Sequence, residues 1–65
     1  MGTTNILIVD DERIMRESLA GWLERDGHHV QTASSGEEGL ELFRDKRFDI
    51  LLVDIKILLL TMLLH

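Results

Sequence analysis

Two stretches decide the fold: Ile6-Leu7-Ile8-Val9-Asp10-Asp11-Glu12, and its answer further along, Ile50-Leu51-Leu52-Val53-Asp54. Each is an apolar run of strand length that stops abruptly in acid. An unbroken apolar run fits a strand covered on both faces, as in the middle of a parallel sheet. Two such strands in one sheet deliver their carboxylates to the same edge. Like charges held a few ångströms apart repel, and a hard divalent ion bound by oxygens is the usual answer. The pattern therefore predicts a Mg²⁺ pocket built from acids.

Between the two runs the apolar period changes. From Arg13 to Asp26, Ile14, Met15, Leu19, Trp22 and Leu23 recur every three to four residues, while Arg16, Glu17, Glu24 and Arg25 fall on the other side. That spacing predicts a helix stopped by Gly27, with Met15 and Trp22 as packing residues. His29 to Ala33 alternates in the manner of a less buried strand. Ser35-Gly36-Glu37-Glu38 has capping-box spacing and opens a second helix with Leu40 and Phe43 on its apolar face, closed by Lys46 and Arg47. Phe48 through Val53 gives the third strand. The element order is βαβαβ, and right-handed crossovers make the three strands parallel.

Composition narrows the function. The 65 residues allow one small domain, and with no cysteine there is no disulfide or thiolate metal site, in keeping with a cytoplasmic protein. Twelve acids against seven bases give a net charge of −5 with no basic stripe, so direct nucleic-acid binding by this chain is not expected. The start, Met1-Gly2-Thr3-Thr4-Asn5, has no signal-peptide character. The absence of proline is read as a sign of truncation.

After Lys56 the character shifts. Ile57-Leu58-Leu59-Leu60-Thr61-Met62-Leu63-Leu64-His65 carries no acid, Lys or Arg and no turn signal. Even counted back to Ile50, the apolar stretch is short for a membrane span and is interrupted by Asp54 and Lys56, so no membrane partner is expected. Strand and helix both remain open for this tail; in either form it is apolar all round and needs a partner surface.

The crevice at the carboxyl ends of the first and third strands is where such a sheet binds its ligand. A nucleotide fold would place a glycine-rich loop there, whereas this chain places Asp10-Asp11-Glu12, which repels a bare phosphate. A phosphoryl group should come only with a neutralising metal. On these residues the chain, over 5–56, resembles the receiver domain of two-component response regulators. The resemblance implies a flavodoxin-like α/β fold with strand order 2-1-3. It implies that Asp10 and Asp11 hold Mg²⁺ and that Asp54 accepts a phosphoryl group from a phosphohistidine of a sensor histidine kinase. The backbone carbonyl of Lys56 would complete the metal site. The wording is also similar to receivers fused to NtrC-type, σ54-dependent activators, so transcription regulation is the implied output of the parent protein.

The match stops after Lys56. Residues 1–56 read as the N-terminal half of a receiver and 57–65 as an aberrant apolar tail; the family's later Ser/Thr and Lys are missing. The fragment is therefore expected to be impaired in switching and, at most, weakly self-phosphorylating rather than an enzyme. Exposure of the third strand's edge and of the tail predicts a homo-oligomer, most simply a dimer. The alternative is a structural fragment that only self-associates through its tail. Glu12 is read as a solvated helix-start acid, and His28 and His29 as turn residues at the far end of the sheet.

Overall fold

In the computed structural model, which describes residues 3–64, the apolar run Asn5–Val9 forms β1, and every residue of it after Asn5 is buried. Met1, Gly2 and His65, which belong by sequence to the N-terminal stretch and the tail, lie outside that range. Arg13–Arg25 forms α1, His29–Ala33 β2, Gly36–Asp45 α2, Ile50–Val53 β3 and Ile55–Leu64 α3. The strands make one parallel sheet in the order β2-β1-β3. This is the flavodoxin-like βαβαβ arrangement, with the most deeply buried strand at the centre.

Register fixes which ends meet. Asn5 pairs with His29 and Val9 with Ala33, while Ile6 pairs with Ile50 and Val9 with Val53. His29 therefore starts β2 at the end of the sheet away from Asp10 and Asp54. Because side chains alternate along a strand, β1 feeds two cores. Ile6 and Ile8 pack with Ala20, Leu19, Leu23 and Val30 beneath α1. Leu7 and Val9 pack with Ala33, Ile57, Leu42, Phe48 and Val53 beneath α2 and α3.

Several boundaries follow from local chemistry. Gly27 has a φ of 92°, a left-handed conformation that glycine adopts without a Cβ penalty, and its N–H bonds the Glu24 carbonyl as α1 ends. Ser35 caps α2 by accepting the Glu38 N–H at 3.2 Å. The returning half of the capping box lands one residue early, since the Glu38 carboxylate accepts from the N–H and hydroxyl of Ser34.

The structure corrects four expectations. β3 begins at Ile50 rather than Phe48, because Phe48 turns into the core and Asp49 meets Asn5 through both its N–H and its carboxylate, at 2.8 Å each. Trp22 and Met15 are exposed, Trp22 to 65 %, as is Ile14. α1 lies over β1 and β2, so only its Leu19-Ala20-Leu23 stripe reaches the sheet. Phe43 is likewise exposed, and Leu42 takes the core position on α2. Arg16, assigned to the solvated side of α1, is half-buried and bonded to the chain behind it.

The tail is helix. α3 runs unbroken from Ile55 to Leu64, with Asp54 as the residue before it: the Asp54 carboxylate accepts the Lys56 N–H at 2.9 Å and its carbonyl accepts the Leu58 N–H. Within α3, Thr61 returns its hydroxyl to the Ile57 carbonyl at 2.8 Å, so no polar side chain is stranded. Ile57 is the one buried apolar residue of this helix among those described. Among the described residues no helix is long and apolar enough to cross a membrane.

Candidate metal centre

Asp10 and Asp54 reach the same sheet edge because β1 and β3 are adjacent, parallel and in register through Val9 and Val53. Main-chain bonds continue the ladder past both strand ends: the Asp10 N–H donates to the Ala33 carbonyl at 3.1 Å, and the Asp54 N–H to the Val9 carbonyl at 3.0 Å. The two aspartates are thus held by their backbones before any side chain is considered.

Their side chains are arranged alike. Oδ1 of Asp10 accepts the Glu12 N–H at 2.9 Å, and Oδ1 of Asp54 accepts the Lys56 N–H at 2.9 Å. Each bond closes a short turn two residues long, fixing the carboxylate while leaving it oxygen capacity for a further partner. Asp11 joins them from the exposed loop. One carboxylate oxygen from each of Asp10, Asp11 and Asp54 lies within 4.8 Å of the others, and Asp10 and Asp54 are half-buried. Of the residues singled out from sequence, Glu12, His28 and His29 stand outside this group; Glu12 is exposed and precedes α1 without a capping side-chain bond.

The donor set fits a hard divalent cation. Three carboxylate oxygens at this spacing suit an oxygen-preferring ion that keeps several waters, whereas thiolate or imidazole would be needed to favour a softer metal. Beside the acids lies an open hollow of about 470 Å³ with an apolar floor of Ile8, Leu19 and Leu52 and with Asp10 and Asp54 among its lining. The three acids thus gather at the carboxyl end of the sheet, beside this hollow.

The chain belongs to the response regulator receiver domain family, whose model matches residues 6–60. It is 41% identical over 51 residues to the transcriptional regulatory protein AfsQ1 of Streptomyces coelicolor, an alignment covering 78% of this chain and 23% of that protein. It is similarly 41% identical over 51 residues to the response regulator RR06 of Streptococcus pneumoniae, with 78% and 24% covered. A sensor histidine kinase, AruS of Pseudomonas aeruginosa, is 45% identical over 49 residues, 75% of this chain and 5% of that one. Among solved structures, the chemotaxis response regulator CheY4 of Vibrio cholerae superposes with a TM-score of 0.84 at 30% identity, covering 86% of this chain and 47% of that chain.

The chain therefore spans about a quarter of the length of those two regulators and about half of that solved structure. By family it is of the receiver kind found in two-component response regulators.

Proposed function

We propose that Asp54 is the phosphoacceptor and that Asp10, Asp11 and Asp54 hold Mg²⁺, with the carbonyl of Lys56, which lies in the first turn of α3, as the remaining protein ligand. The observation that carries this reading is the convergence of the three aspartates at the carboxyl ends of adjacent parallel strands. The donor is a phosphohistidine on a sensor histidine kinase. An Asp54 carboxylate oxygen forms a bond to phosphorus while the P–N bond breaks; the imidazole nitrogen leaves with the electron pair and takes up a proton. Mg²⁺, when bound, offsets the negative charge gathered between carboxylates and phosphoryl oxygens. The chain's own contribution is positioning: the Lys56 N–H fixes the Asp54 carboxylate, and the Ala33 and Val9 carbonyls hold Asp10 and Asp54 at the sheet edge.

In the parent protein this module would govern transcription, in a cytoplasmic setting. Similarity of this stretch to a transcriptional regulatory protein and to a sensor histidine kinase supports a role in two-component signalling. The acids lie within residues 1–56, read here as the N-terminal half of a receiver, and the family match runs on through residue 60, into the uncharged run that begins at Ile57. A second reading rests on a separate observation: the Leu residues of α3 and the β3 edge are exposed together. That surface would pair two copies into a dimer, and assembly alone would then be the behaviour of the chain.

Intact mass after incubation with acetyl phosphate and Mg²⁺ tests the first reading. A single phosphoryl adduct is expected on the parent, absent with a chelator and absent in Asp54→Asn. No adduct on folded, Mg²⁺-exposed protein would leave the assembly reading in place.

A further inference from the structure

We infer that Arg16 is a positioning residue that holds the acidic loop in the shape the cation needs, an inference resting on the Mg²⁺ reading above. Arg16 sits one turn into α1, where its N–H closes the helix by donating to the Glu12 carbonyl at 3.0 Å. Its guanidinium then turns back across six residues, and Nη1 donates to the main-chain carbonyl of Asp10 at 2.8 Å in a half-buried setting. Asp10 is thereby fixed at three points: N–H to Ala33, carboxylate Oδ1 to the Glu12 N–H, and carbonyl to Arg16.

The choice of acceptor matters. A guanidinium forms its strongest bonds with carboxylates, often two at once, and here three carboxylates lie close by. Bonded to Asp10 or Asp11 through a side chain, Arg16 would compete with a cation for the same oxygens. Bonded to the carbonyl, it braces the loop and leaves the acid oxygens available. α1 also starts without a side-chain cap or an acidic residue in its first turn, so the Arg16 bond is the side-chain tie from this helix back to the loop. Partners that orient metal ligands in this way typically change metal affinity by about 10–100-fold when removed.

Charge and geometry make opposite predictions, which gives the test its sign. Removing a positive charge beside a cation site, with nothing else changed, should tighten cation binding. Loosening the loop should weaken it, and should weaken Mg²⁺ more than Ca²⁺, because Mg²⁺ demands near-ideal octahedral geometry and Ca²⁺ accepts slack. The experiment is calorimetric titration of the whole chain and its Arg16→Ala and Arg16→Lys variants with Mg²⁺ and with Ca²⁺. It is paired with amide hydrogen exchange at Glu12 in metal-free protein.

Arg16→Ala should bind Mg²⁺ about tenfold more weakly with a smaller loss for Ca²⁺, and Arg16→Lys, which keeps a donor, should recover most of it. The Glu12 amide should exchange faster in Arg16→Ala. Unchanged or tighter Mg²⁺ binding in Arg16→Ala overturns the inference, as does an unchanged Glu12 amide. If the parent itself takes up no Mg²⁺ while Glu12 exchange still rises in Arg16→Ala, the brace stands and the metal reading falls.

Discussion

Gly39 is buried against Val9, and a Cβ built there would come within 2.8 Å of Val9 Cγ2. Val9 is itself locked in the central strand at 4% exposure, so the collision is relieved only by moving α2 off the sheet. Gly39→Ala should therefore destabilise the fold by about 1–3 kcal/mol despite alanine's better helix propensity, read as a lower urea midpoint. That close approach was invisible in the sequence, where a glycine inside a helical pattern marks only a local weakness. The acids were the opposite case. Asp10 and Asp54 follow apolar strands directly, so the strand pattern alone carries them to one edge. Arg16 was not legible, because a charged residue on the polar side of an amphipathic helix reads as solvated until the structure shows where its six-residue reach ends.

Among the elements, α2 shows its start in the sequence more clearly than its buried face, where Leu42 rather than Phe43 meets the core. Its Ser35 cap and the participation of Glu38 follow from spacing, although Glu38 reaches Ser34 instead of closing onto Ser35. Ser35→Ala should cost about 1 kcal/mol, measured by denaturant unfolding at fixed protein concentration. α3 could not be decided in advance, since an all-apolar run has no helical or strand period to separate the two. What decides it locally is Asp54, whose carboxylate and carbonyl take up the first N–H groups of the helix. The same residue thus ends β3, starts α3 and lines the acid cluster. β3 was read two residues long at its start because Phe48 is as strand-like in composition as Ile50; only the Asn5–Asp49 pairing shows where the turn ends.

Over the whole molecule, the core is one deeply buried strand with helices on both faces, and much of the remaining apolar surface is open. Leu59, Leu60, Leu63 and Leu64 on α3 are all more than half exposed, and β3 is an edge strand with Ile50, Leu51 and Leu52 exposed. The two crossover helices were within reach of the sequence, and the sheet order followed from the family resemblance, but the third helix and this exposure did not. Apolar spacing predicts which residues prefer burial, not whether another element is there to cover them, as Trp22 demonstrates. A chain with this surface should self-associate in a concentration-dependent way. Leu60→Lys with Leu63→Lys should shift it to monomer in analytical ultracentrifugation with little change in helix content, since neither side chain is buried.

The central claim is that Asp10, Asp11 and Asp54 make one cation site. Calorimetric titration with Mg²⁺ of the parent beside Asp10→Asn, Asp11→Asn and Asp54→Asn tests it most directly. The account predicts saturable one-site binding to the parent, weakened in all three variants while their folds persist. Absence of saturable binding to the folded parent, or variants that bind as the parent does, would contradict it.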